Sequence, residues 1–453
     1  MQEETIRRGE VDVEYTAKPL SGWGGLALFF EFGRKIGFFD ALERIVPTEK
    51  VSPNQISSSD IVKALFTTVL MGGNRFSHVE RARADEVLRA VIDADRVCGP
   101  DTMRRLFESL AQSECEQMYI EFDDFMKKLL RNRQQEEILD LDSTILERYG
   151  SQQGVAKGYH TSRAGQTSHH PLLGMFARSK SIAHCWLRAG GASTLRGPSE
   201  FVKELLSRVP EGLKISLVRA DSGFHTEEFV QTLEAHGLDY VIAARMKQPM
   251  QRLVARIKES AWVRLDELHD LAECVEQQPN WSRPRRLIFF RHQIRREGQL
   301  FETPLYEHSA LVTSLSCEAV TCSDLYDHRA ECENTIKEFK NDFGARGFCI
   351  SSFYGTEMVF RLLAVLFNLV SEFKYQVLKN TSVTLQTIRN KVFVLGAILG
   401  RAGRRLVLRL GLRQAWKEDF SILLARAASA SFPTAAQFEP APLTPYPSAF
   451  PDV

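Results

Sequence analysis

Hydrophobic spacing changes twice along this chain. After a polar stretch of about 20 residues, apolar positions recur at helical period from Gly22 to about Leu130. "SSSDIVKALFTTVLMGG" opens on serines suited to capping a helix and closes on glycines suited to ending one. "FSHVERARADEVLRAVI" keeps the period, and "CGPDTMRRLFESLAQS" places a short basic helix, Met103 to Leu110, after a Pro-Asp-Thr turn. That helix is either a plain bundle helix or the recognition helix of a helix-turn-helix unit, with Arg104 and Arg105 facing DNA.

From Glu136 the spacing becomes that of strands. "EEILDLDSTI", "PLLGMFARS", "IAHCWLRAG", "KISLVRADSG" and "LDYVIAAR" predict strands, and "PSEFVKELLSRV" and "HTEEFVQTLEAHG" predict helices between them. The order implies an α/β domain with a mixed sheet. Residues 247–310 break the rhythm with β-rich runs joined by the turn "REGQ", and "ALVTSL" returns to the main sheet. One helix is then expected from about Asp324 to Phe343 and a second from about Gly355 to Leu378. Leucines at 406, 408 and 410 recur at period two, predicting a hairpin that turns at Ala402-Gly403, followed by a helix from about Gln414. The expected segments are 1–130 (helical), 131–246 and 311–380 (two parts of one core), 247–310 (β-rich insertion), 381–430 (hairpin and helix) and 431–453. The last carries six prolines and is expected to be an extended tail.

Composition narrows the class without naming a function. A chain of 453 residues, 44% hydrophobic and 25% charged, is that of a globular protein with several structural units. Net charge is +1, so any DNA-binding surface must come from local clustering of Lys and Arg. None of the eight cysteines forms a CxxC pair or a zinc-spaced cluster. The N-terminus lacks the apolar core of a signal peptide, and the apolar run near Met358–Val370 is interrupted by Arg361 and Asn368; a cytoplasmic, nucleoid-associated protein is expected.

Three groups of residues carry candidate chemistry. "YDHRAECENTIKEFK" places Tyr326, Arg329, Glu333 and Lys340 within an arc of about 60° on one continuous helix, beside the apolar stripe of Leu325, Ile336, Phe339 and Phe343. The plain alternative is a solvated face with an Arg329–Glu333 ion pair. Asp140 and Asp142 lie on one face of a strand, which is either a polar edge or part of a site. Asp221 ends another strand before a Ser-Gly turn, as a turn residue or as a ligand at the strand end. Three such carboxylates would suit hard divalent cations.

Asp142, Asp221 and Glu333 together resemble the DDE triad of bacterial insertion-sequence transposases. The Tyr326, Arg329, Glu333, Lys340 spacing is similar to the Tyr-Arg-Glu-Lys signature of a branch with a β-strand insertion before the Glu. The resemblance covers roughly 50–430. It implies an RNase H-like core, preceded by an all-helical region and interrupted by a β-rich insertion. It implies two Mg²⁺ or Mn²⁺ ions held by the triad, with Tyr326, Arg329 and Lys340 at phosphates near the element end. It further implies cut-and-paste transposition on double-stranded DNA with terminal inverted repeats and on target DNA, by a homodimer on paired ends. Asp140 is the alternative first acid or a supporting residue. Further DNA contacts are expected in the acid-free loop 157–171, with Lys157, His160, Arg163, His169 and His170, and in the basic run 400–417. Trp281 is either a base-stacking or a packing residue. The competing functions are a non-catalytic DNA-binding protein and an RNase H-like nuclease.

Overall fold

The computed structural model describes residues 6–8, 11–13, 15–46, 52, 54–131, 136–157, 165–192, 197–294 and 305–432. The turn "REGQ", His160, Arg163 and nearly all of the Pro-rich tail lie outside them. The chain divides into two compact units: residues 1–106 with 373–431, and 107–372 with 432–453.

The first unit begins with helices α1 (Leu26–Lys35), α2 (Phe38–Ile45) and α3 (Ser58–Leu70). Ser57 caps α3 by accepting the Asp60 amide, the role its serine cluster suggests. The basic helix α4 (Pro100–Ser109) follows two shorter helices, and α5 (Gln112–Arg131) leads into the sheet of the second unit.

Nine strands form that sheet: β1 (Glu136–Ser143), β2 (Leu172–Phe176), β3 (Ser181–Trp186), β4 (Lys214–Ala220), β5 (Tyr240–Ala243), β6 (Val263–Arg264), β7 (His269–Glu276), β8 (Arg285–Ile294) and β9 (Leu305–Thr313). Their spatial order is β6-β7-β8-β9-β5-β4-β1-β2-β3. β1 is antiparallel to β2, and β2 to β3, whereas β1, β4 and β5 run parallel. That five-strand arrangement is the RNase H-like core. Its parallel connections are made through helices α6 (Pro198–Ser207) and α7 (Glu227–Ala235).

The insertion does not fold as a body apart. β9 pairs with β5 on one side and with β8 on the other, so β6 to β9 prolong the core sheet. Leu139, Leu141, Val218 and Ala220 pack on one sheet face with Phe201, Leu205 and Phe229 of α6 and α7. Ile138, Leu217 and Val241 pack on the other face with Ala319 and Cys322 of α8 (Ala319–Asp327). By the alternation of a strand, Asp140, Asp142 and Arg219 belong to the α8 face. β1 is therefore central, which overturns the polar-edge alternative for its acids.

The helix expected over 324–343 is two helices. α8 ends at Asp327 and α9 (Ala330–Asn341) begins after His328-Arg329. The joint is tightened by short-range bonds, Arg329 N to Tyr326 O and Cys332 N to Arg329 O, and the His328 ring bonds the Asp324 carbonyl. The single wheel is interrupted at this joint, although Tyr326 still feels the charges of Arg329 and Glu333. α10 (Phe353–Phe373) continues in a π-turn to Leu378. The apolar run is thus longer than its sequence interruptions suggest: the 26-residue helix is long and apolar enough to span a membrane, but 83% of its apolar window is buried inside the protein, as in a core helix.

The C-terminal hairpin matches expectation. β10 (Ala397–Ala402) and β11 (Arg405–Leu410) turn through Gly403, whose φ of +59° suits glycine. Helix α11 (Gln414–Ser429) follows. β10 also pairs with Leu20–Ser21, so this C-terminal segment folds with the N-terminal residues.

Candidate active site

Two rungs of the β1–β4 pair form the base of the site. Asp140 and Arg219 are register partners, 1% and 0% exposed. Arg219 Nε and Nη2 donate to the two Asp140 oxygens at 2.6 and 2.8 Å, and Nη1 donates to the Leu325 carbonyl at 2.7 Å. One buried guanidinium thus ties both strands to α8. Burial raises the pKa of Asp140 even against the pull of Arg219.

Asp142 and Asp221 stand two positions further along, past the Leu141–Ala220 rung, at the C-terminal ends of these parallel strands, where open α/β sheets build their sites. Asp142 accepts the Ser143 amide at 2.7 Å through Oδ1, and its Oδ2 lies 3.2 Å from Arg329 Nη2. Asp221 accepts the Gly223 amide at 2.8 Å, so one of its oxygens serves the Ser-Gly turn. Burial, opposed by Arg329 and reinforced by the negative charges of Asp221 and Glu333, pushes Asp142 up to about 6. Asp142 therefore feels the charges of both Asp221 and Glu333.

Arg329 sits between them. It is 6% exposed, pairs with Glu333 Oε1 at 3.2 Å through Nη1, and reaches the Leu141 carbonyl at 3.4 Å. Its Nε is buried with no hydrogen-bond partner among the described residues. Glu333 is largely exposed on α9. Among the described residues no three His, Cys, Asp or Glu side chains are already gathered at metal-binding distance. The donor set nonetheless fits a hard cation: the acids are carboxylates at one sheet end, with a single guanidinium shared between Asp142 and Glu333. Lys340 donates to Thr144 Oγ1 at 2.7 Å, and burial brings its pKa down to about 8. Tyr326 is half-buried, and burial raises its pKa, keeping the phenol protonated as a donor.

Sequence reasoning missed two residues here, Arg219 and Arg245, and gave a third, His170, to the basic loop. Arg219 was legible, because it stands two positions before Asp221 as Asp140 stands two before Asp142, so the strands carry matched polar pairs. Arg245 braces the Asp221 turn by donating to the Ser222 and Gly223 carbonyls at 2.6 and 2.8 Å. His170 Nε2 lies 3.2 Å from Ser143 Oγ, and Asp221's charge partly offsets the burial that lowers its pKa. His170 and the fully buried His169 thus belong to packed structure and not to the open basic loop expected over 157–171. Arg245 has no local signal in the sequence.

The outlying candidates are placed as follows. Lys157 is exposed at the end of a two-residue strand. Arg104 pairs with Asp101 at 2.8 Å and lies over the Phe76 ring, and the neighbouring Arg105 donates to the Asp101 carbonyl. Trp281 is half-buried against the sheet core, with Arg285 stacked 5.2 Å from its ring centre and His225 at its edge. The packing role, not an open stacking platform, is the one its surroundings favour.

Among solved structures, the chain is similar to the piggyBac transposase in a synaptic complex with hairpin DNA, at 11% identity and a TM-score of 0.46, over 82% of this chain and 78% of that one. No curated protein matches it. A family model does match: the transposase DDE domain, group 1, aligns with residues 3–431. The RNase H-like strand order and the acids at the ends of β1 and β4 are thus carried by a chain matched almost from end to end, and it belongs to the DDE transposase family.

Proposed function

We propose that this protein is a cut-and-paste transposase of the insertion-sequence branch, in which Asp142, Asp221 and Glu333 hold two divalent cations, Mg²⁺ with Mn²⁺ able to substitute. The observation that carries the reading is the parallel pair β1–β4, which delivers Asp142 and Asp221 to one end of the sheet, with Arg329 linking Asp142 to Glu333. Cations bound there would supply activation of the attacking oxygen and charge neutralisation on the leaving one.

The chain's own groups do the positioning. Arg329 neutralises the acids of the free protein; its unpartnered Nε and its Nη atoms are donors for a phosphate oxygen. Lys340, held by Thr144 at the rim, and the Tyr326 hydroxyl give two more donors to the DNA backbone. Water attacks the phosphodiester at the element end and releases a 3′-hydroxyl, which then attacks target DNA in line. Terminal inverted repeats would supply two equivalent ends, paired by a homodimer at the nucleoid.

The test is cleavage and joining of a labelled duplex that carries the repeats flanking the gene, with Mg²⁺ and the full chain. A nick leaving a 3′-hydroxyl at the element end, followed by joining, is expected. Asp142→Ala, Asp221→Ala and Glu333→Ala should abolish cleavage and retain end binding. Full cleavage by Glu333→Ala overturns the site. End binding without any cleavage by the wild type would indicate a non-catalytic binder, and cleavage without joining a nuclease.

A further inference from the structure

The acid-free run extends further than the hairpin. Between Glu372 and Glu418 the chain has ten Lys or Arg and no Asp or Glu. At the chain's average density about six acids would fall in such a stretch. Two of the cations serve the fold: Lys374 is buried, and buried Arg389 donates to the Val69 and Leu70 carbonyls.

Six others, Arg401, Arg404, Arg405, Arg409, Arg413 and Lys417, are exposed on β10–β11 and the start of α11. None has an ion-pair partner among the described residues. Some exposed arginines elsewhere are answered by acids, Arg34 by Glu31 at 2.8 Å, Arg83 by Glu80 at 3.2 Å and Arg283 by Glu234 at 3.0 Å, while others, such as Arg81 and Arg252, are not among the described residues. The hairpin and the start of α11 thus gather six unpaired cations within 17 residues, 401–417, of a nearly neutral chain.

The hairpin also has a shape suited to a polyanion. Register places Arg405, Val407 and Arg409 on one face, opposite Ala402, Gly400 and Ile398. The Arg409 guanidinium lies across Gly400, where an added Cβ would come within 2.1 Å of Nη1. Small residues thus leave a low floor beneath the cations. The other face carries buried Ala397 and half-buried Leu399, Leu408 and Leu410, so it is the inward one. Trp416, 62% exposed, stands between Arg413 and Lys417 and adds an aromatic surface for sugar or base.

We propose that this hairpin and the first turn of α11 bind the sugar-phosphate backbone of duplex DNA, as a contact surface separate from the Asp142 site. The proposal rests on the transposase reading above. A second copy of the chain is the poorer occupant, because a two-fold contact through this strip would set like charges against one another.

The experiment measures binding of the full-length protein, without divalent cations, to a random-sequence duplex of about 30 base pairs across a KCl series. Arg404→Gln/Arg405→Gln/Arg409→Gln should make the slope of log affinity against log salt shallower by about 2.7 if all three contact phosphates. The Lys triple variant should restore the slope, and Arg34→Gln should leave it unchanged. If the Gln triple variant does not fold, Arg404→Gln alone, at the turn, should cost about 0.9 of slope. An unchanged slope in a folded variant overturns the proposal, as does loss of a dimer with the slope intact, which would make the hairpin a contact between copies. Failure of the wild type to bind any duplex overturns this proposal and the transposase reading together. Normal end cleavage with an unaltered slope overturns this one alone.

Discussion

Asp140 faces Arg219 on one rung of the β1–β4 pair, and Asp142 and Asp221 lie two positions further along the same strands. The deeper rung carries one charge of each sign, sealed from water and joined by two hydrogen bonds. The outer pair carries two charges of the same sign, and Asp142 borrows a guanidinium from the joint between α8 and α9. A buried pair of opposite charges costs desolvation but leaves nothing unanswered. A pair of acids under partial burial leaves negative potential at the sheet end, recorded in the raised pKa of Asp142. Two residues of strand separate a structural pair from the pair proposed to react.

That contrast can be broken most severely at the outer pair. Asp142→Asn/Asp221→Asn should lower end cleavage by at least about 10³-fold, measured in single turnover, with urea stability within about 1 kcal/mol of wild type. The inner rung should answer in the opposite currency. Asp140→Ala strands the Arg219 charge and should cost about 3–5 kcal/mol in urea unfolding, while Asp140→Leu/Arg219→Met should recover most of it. Equal loss from the single and double variants would mean the pair does not act as a unit.

Acid titration separates the pairs more finely. A carboxyl whose folded pKa is raised to about 6 binds its proton more tightly in the folded state, so its contribution to stability falls as pH rises from about 4 to 6 and is level above that. In a chelator, Asp142→Asn should therefore gain stability relative to wild type over that window, and a flat difference would refute the raised pKa. The smallest effect is expected from Thr144→Val, which removes the acceptor of Lys340 and should raise the KM for element ends about two- to fivefold, leaving kcat nearly unchanged.

The acids were legible because they interrupt apolar strands: Asp142 and Asp221 break runs whose other members are Leu, Val and Ala. The hairpin was legible because Leu406, Leu408 and Leu410 recur at period two beyond a turn at Ala402-Gly403. The joint at His328-Arg329 was not, since its helical period runs on unbroken in sequence while Arg329 turns toward Asp142, a partner 187 positions away in the chain. Strand neighbours were equally hidden. That β9 would lie between β5 and β8 is a matter of long-range pairing, which local periodicity does not encode. Trp281 shows the same limit: basic residues around a Trp look alike whether they stack on it internally, as Arg285 does, or await a ligand.

The position of β9 has a consequence for synthesis. β5 ends at Ala243, yet the strand that covers its far side begins only at Leu305. At about 5–20 residues per second, a ribosome leaves the β5 edge bare for roughly 3–12 s. An uncovered strand edge is a template for pairing with another chain. The nascent protein is thus most vulnerable to aggregation in that interval, when both strand aspartates have been made and Glu333 has not.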